Sequence, residues 1–138
     1  TMEEEVFGPS ALVVVCRDRD ELLQITRCLG GQLTATLQIA ETDYRDSKTL
    51  LSLLERKAGR ILVNGFPTGV EVCQAMVHGG PYPATSNALS TSVGSGAIER
   101  FLRPVCYQDF PPELIPLSVQ GANPLGLWRL VDGQMQNS

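Results

Sequence analysis

Six consecutive apolar residues, Ala11-Leu12-Val13-Val14-Val15-Cys16, begin the hydrophobic pattern of this chain. A β-branched run of that length without alternation predicts a strand buried on both faces. Asp18 follows, with Glu21 three residues on, a capping-box-like helix start. Leu22, Ile25 and Leu29 then recur at the spacing of one helical face, and Gly30-Gly31 ends the helix. Thr34-Ala35-Thr36-Leu37-Gln38-Ile39 alternates and is β-rich, which predicts a second strand. The polar turn from Asp43 to Ser47 caps a second helix with Leu50, Leu51 and Leu54 as its stripe. The basic pair in Glu55-Arg56-Lys57 suits the negative end of that helix. Gly59 closes it, and Arg60-Ile61-Leu62-Val63-Asn64 reads as a third strand. Strand, helix, strand, helix, strand is the order of an α/β domain with a mostly parallel sheet in three layers, a βαβαβ core.

Beyond Asn64 the pattern changes. Residues 65–87 are rich in glycine and proline, with one short apolar piece from Val70 to Val77. A segment this long and irregular in a compact domain is often functional. A third helix is expected from Ser92 or Ser95 through Ile98, Phe101 and Leu102, stopped by Pro104. A short strand is expected at Val105-Cys106-Tyr107-Gln108. Pro111, Pro112 and Pro116 make an extended connector. Asp132-Gly133 between alternating flanks predicts a C-terminal β-hairpin with a two-residue turn. The expected domains are 1–110, the α/β part, and 111–138, the connector and hairpin, read as an oligomerisation tail.

Composition narrows the classes. An apolar share of 43% with 19% charged residues suits a soluble globular chain. A net charge of -4 without a basic block argues against nucleic acid as a partner. No apolar run approaches the roughly 20 residues of a membrane span, and the acidic N-terminus is unlike a secretory signal. Cys16, Cys28, Cys73 and Cys106 match no metal or redox spacing. They read as reduced core residues of a cytoplasmic protein. A single histidine, His78, excludes a histidine-rich metal site. Cys73 and His78 also form a candidate thiol-hydrolase pair, without a third group to orient it.

Glu5-Val6-Phe7-Gly8-Pro9 resembles the Glu-x-Phe-Gly-Pro signature of the aldehyde dehydrogenase superfamily. The likeness extends through His78-Gly79-Gly80-Pro81-Tyr82-Pro83-Ala84-Thr85-Ser86, Thr91-Ser92-Val93-Gly94 and Ala97-Ile98-Glu99-Arg100-Phe101-Leu102-Arg103-Pro104-Val105-Cys106-Tyr107-Gln108-Asp109-Phe110-Pro111. These runs, and the tail Asn123-Pro124-Leu125-Gly126-Leu127-Trp128-Arg129, resemble the 2-oxoglutarate semialdehyde (2,5-dioxovalerate) and NADP-dependent fatty aldehyde dehydrogenase branch. The resemblance implies the C-terminal part of a catalytic domain that oxidises an aldehyde to an acid with NAD or NADP. It implies that Glu5 accepts from the nicotinamide ribose hydroxyls and that Phe7 packs near the nicotinamide.

The resemblance further implies that Phe66, Thr68 and Val70 lie on a substrate-anchoring loop, with ordinary loop packing as the alternative, and His78 in its Gly-Pro loop reads as a loop-fixing or substrate-pocket residue. Family catalysis uses a cysteine nucleophile and a glutamate that activates water. Both belong upstream of the signature, so no catalytic residue is expected in this chain, and the fragment alone is expected to be inactive. A homo-oligomeric parent is implied, with an aldehyde as substrate. The alternative is a standalone α/β module with a binding or assembly role. Gly79-Gly80-Pro81 lacks the lysine and the strand-to-helix context of a phosphate cradle. Arg100 and Arg103 read as surface partners of Glu99, and Trp128 as an interface or core anchor.

Overall fold

A computed structural model describes residues 6–67 and 69–137. The chain divides into two compact units, one running to Leu102 and the other from Arg103.

The first unit begins its regular structure at α1 (Arg19–Cys28). The Asp18 side chain accepts from the Glu21 backbone N–H at 2.9 Å, so the expected N-cap is present. Glu21 reaches back one residue further than a capping box requires. It accepts from the Arg17 backbone N–H at 2.6 Å and pairs with its guanidinium at 3.1 Å. Those Arg17 contacts hold the Glu21 carboxyl below the usual carboxylate range. β1 (Gln32–Leu37) follows, then α2 (Tyr44–Leu54) and β2 (Ala58–Val63). β1 and β2 pair in parallel, with Gln32 opposite Ala58 and Leu37 opposite Val63. A parallel pair needs a crossover, and α2 supplies it. The fold class is therefore α/β, as expected.

The core is small and evenly drawn. Leu23 of α1, Leu37 of β1, Leu53 of α2 and Ala58 of β2 are its buried hydrophobic members. The buried face of α1 is shifted by one residue from the apolar stripe. Leu23 and Thr26 are buried, while Leu22 and Leu29 are exposed. Thr26 tolerates burial because its hydroxyl donates to the Leu22 carbonyl at 2.8 Å. In α2, Leu53 is buried and Leu50, Leu51 and Leu54 are half-buried, so that stripe points as expected.

Several expectations are corrected. Residues 11–16 form no strand, and Val13 and Val15 are 82% and 88% exposed. A strand requires a hydrogen-bonded neighbour, and among the described residues β1 and β2 pair only with each other. The expected third helix is a 3-10 segment, Ser95–Phe101, with Ile98 and Phe101 exposed. Residues 105–108 form no strand. The cysteines are free, but Cys28, Cys73 and Cys106 are exposed and Cys16 is only half-buried. Their apolar sequence neighbours are exposed with them, so they are not core residues.

In the second unit, short 3-10 turns at Pro112–Leu114 and Leu117–Val119 occupy the proline-rich connector. β3 (Arg129–Val131) and β4 (Gln134–Gln136) form the expected antiparallel hairpin. Asp132 and Gly133 take φ of 48° and 79°, the doubly left-handed turn that matches strand twist. Asn123 stitches the unit together. Its amide donates to the carbonyls of Leu127 and Asn137 at 3.0 and 3.1 Å and accepts from the Leu127 N–H at 3.0 Å. Trp128 is 67% exposed, not a core anchor within this chain. Among the described residues no helix is long and apolar enough to cross a membrane, and no side-chain cluster suits a metal ion.

Candidate functional site

Three pieces of the first unit meet where β1 and β2 start: the strands, the loop after β2, and the loop around His78. The approach is possible because glycines line it on both sides. A methyl group on Gly59 in β2 would collide with the Gly79 carbonyl oxygen and lie 2.6 Å from its carbon. One on Gly31, just before β1, would collide with the Pro81 carbonyl. One on Gly80 would collide with the Gln32 carbonyl of β1. Backbone therefore lies on backbone, with no room for any side chain. The Gly31 N–H donates to the Tyr82 carbonyl at 3.2 Å, adding a bond across this seam.

His78 is fixed by its main chain. Its N–H donates to the Thr91 hydroxyl at 2.8 Å, and its carbonyl accepts from the Ser92 N–H and hydroxyl at 3.0 and 2.8 Å. Thr91 is buried, and its hydroxyl donates to the Val93 carbonyl at 2.6 Å. The imidazole Nδ1 is buried without a hydrogen-bond partner. The His78 ring thus has one protein-facing nitrogen without a protein bond, while its backbone is held at three points.

At the other end of β2, Asn64 adopts φ 52°. Its side chain donates to the Ile39 carbonyl and accepts from the Ile39 N–H, both at 2.8 Å. Its own N–H donates to the Leu37 carbonyl at 2.8 Å. The parallel ladder is thereby extended by a side chain and the loop beyond is aimed. Asn64→Ala is expected to lower stability by about 1–2 kcal/mol, from two lost bonds and the left-handed backbone. Asn64→Gly should recover the backbone part only. Urea unfolding of the two variants measures the split, and equal losses would remove the backbone contribution.

Between β2 and the loop lies a cleft of about 380 Å³, lined by Gly59, Arg60, Ile61, Cys73, Ala75, Met76 and Val77. That volume is in the range of small-molecule sites. Arg60 is the charged member of the lining. Its Nη1 donates to the Gly69 carbonyl at 2.7 Å and lies 3.8 Å from the Met76 sulfur.

The expected site residues are distributed unevenly around this frame. Phe7 is 93% exposed. Glu5 and Thr68 lie outside the described residues. Phe66 is 80% exposed and Val70 is at the border of exposure. None of Phe7, Phe66, Val70 and His78 lines the cleft, whereas Cys73 does. Arg100 and Arg103 make no ion pair with Glu99 among the described residues. Gly59, expected to close the second helix, lies inside β2, and Arg60, expected only as a strand residue, lines the cleft. The signal available for Arg60 was a cation directly before the apolar run Ile61-Leu62-Val63, where a strand has least tolerance for an unpaired charge.

No family model matches the chain. Over 132 residues it is 63% identical to alpha-ketoglutaric semialdehyde dehydrogenase 2 of Azospirillum brasilense, a match covering 96% of this chain and 25% of that relative. Over 132 residues it is 57% identical to alpha-ketoglutaric semialdehyde dehydrogenase of Acinetobacter baylyi, again covering 96% and 25%. The chain spans about a quarter of the length of the curated relatives it matches.

Proposed function

We propose that the chain is part of an NAD(P)-dependent aldehyde dehydrogenase oxidising 2-oxoglutarate semialdehyde to 2-oxoglutarate. The observation that carries this reading is identity of 63% and 57% across 96% of the chain to relatives named for that substrate. In the complete enzyme the nucleophilic cysteine and the water-activating glutamate come from outside this stretch. A standalone binding module gains no support from either relative.

The chain's own residues have defined tasks in this reading. Glu5 holds the ribose hydroxyls of the nicotinamide cofactor, and the exposed Phe7 ring limits where its flat ring sits. The cofactor, when bound, accepts the hydride. Phe66, Thr68 and Val70 form one wall of the aldehyde pocket. His78, anchored through Thr91 and Ser92, sits at the margin of that pocket. The run 11–16 joins β1 and β2 in a larger, mostly parallel sheet of a three-layer domain, and the β3–β4 hairpin docks on another subunit of a homo-oligomer. The enzyme works in the cytoplasm.

The test uses the full-length protein that carries this sequence. With 2-oxoglutarate semialdehyde and NAD or NADP it is expected to generate reduced nicotinamide and 2-oxoglutarate, while the 138-residue chain alone generates neither. A full-length protein that reduces neither cofactor with this aldehyde sinks the reading. An antibody raised against the chain should detect a native species several times heavier than 15.0 kDa.

A further inference from the structure

We propose that Arg60 is the carboxylate-recognition residue of the cleft beside β2, taking the acid end of a short oxo-acid aldehyde. The inference rests on the aldehyde dehydrogenase reading and deepens it by naming what distinguishes an oxo-acid aldehyde from a neutral one.

Arginine stays protonated throughout the physiological range and presents five donors. At Arg60 few of them are used. Nη1 donates to the Gly69 carbonyl and, more weakly, to the Met76 sulfur. Nε is buried without a partner. No carboxylate pairs with this guanidinium among the described residues. A half-buried cation with unsatisfied donors is costly, and an incoming anion relieves that cost. The other lining side chains are those of Ile61, Cys73, Ala75, Met76 and Val77, none of them acidic. One cation in a largely apolar cleft is the arrangement that selects a small amphipathic acid. A guanidinium fork also matches a carboxylate in geometry, where a lysine would offer a point charge.

The Gly69 bond places this cation next to the loop that carries Phe66 and Val70. The same side chain is thus tied to the proposed aldehyde wall and to the cleft. A structural staple would make the same bond, and the two roles separate by substrate. A staple acts on every aldehyde alike, whereas a carboxylate site acts only on acids.

The experiment compares full-length wild type with Arg60→Met, which keeps the stem, and Arg60→Lys, which keeps the charge. The substrates are 2-oxoglutarate semialdehyde and pentanal, the unfunctionalised aldehyde of equal chain length. Arg60→Met is expected to lower kcat/KM for the oxo-acid aldehyde by about 10- to 100-fold, mainly through KM, and for pentanal by less than about 3-fold. Arg60→Lys should fall between and serves as the decisive variant if Arg60→Met does not fold. Equal losses on both aldehydes, or no loss on either, overturn the assignment.

A binding arm keeps it independent of the activity reading. Glutarate should raise the Tm of wild type but not of Arg60→Met, and 1,5-pentanediol should raise neither. Wild type that oxidises neither aldehyde sinks the enzyme reading while the glutarate arm still decides Arg60. Absence of a glutarate-specific shift sinks the Arg60 assignment.

Discussion

Gly59→Ala is expected to destabilise the first unit by about 3 kcal/mol or more, a large effect for one methyl group on a strand. The new Cβ would overlap the Gly79 carbonyl oxygen and sit 2.6 Å from its carbon and 2.9 Å from the Gly80 nitrogen. These are backbone atoms, so no rotamer change makes room. The loop must lift off β2, and it takes the His78 anchor with it. Gly65→Ala is the control. Its nearest atoms, the Leu62 Cδ2 and the Val63 carbonyl oxygen, lie at 3.7 and 3.9 Å, so a methyl group fits in ordinary contact. Its expected effect is within about 0.5 kcal/mol. Urea unfolding of the two variants is the measurement. A Gly59→Ala protein as stable as Gly65→Ala would mean that the seam between β2 and residues 78–81 is not packed as described. In the proposed full-length enzyme, Gly59→Ala should also reduce turnover, because the displaced loop borders the proposed aldehyde pocket.

The second large effect depends on context. Val13 and Val15 are 82% and 88% exposed here. Replacing both by glutamate should therefore change the stability of the 138-residue chain by no more than about 0.5 kcal/mol and should make it more soluble. In the full-length enzyme the same double substitution is expected to cost about 3–5 kcal/mol or more, with loss of activity. There the run is proposed to lie inside a sheet, and two carboxylates buried without partners are among the most damaging changes available. Thermal unfolding and activity of the two forms, side by side, give the comparison. A full-length variant with wild-type Tm and turnover would show that residues 11–16 are not a buried strand in the complete enzyme either.

Both predictions mark places where sequence pattern and tertiary structure part. The helix starting after Asp18 was legible because its cap is local: a carboxylate and an N–H three residues apart. The Asp132-Gly133 turn was legible for the same reason, since two consecutive left-handed residues determine it within the turn itself. The β1–α2–β2 order was legible from periodicity. The signature around Glu5 and the His78 run carried the resemblance to the aldehyde dehydrogenases, which needs only the letters.

The remainder required positions far apart in the chain. Six apolar residues announce burial, but burial needs a partner, and none is present for 11–16 among the described residues. The face of α1 that turns inward was settled by what it packs against, so Leu23 and Thr26 are covered while Leu22 and Leu29 are not. The reason for the glycines near His78 and the strands is proximity, because Gly31, Gly59 and Gly80 let the strand and loop backbones touch. Arg60 looked like one more strand residue until the cleft gave it neighbours. Sequence by itself determined the local caps and turns, the β1–α2–β2 order and the resemblance to the aldehyde dehydrogenases. Tertiary structure decided which surfaces meet, because contact between distant segments depends on shape and the space left between backbones, and neither is encoded in local spacing.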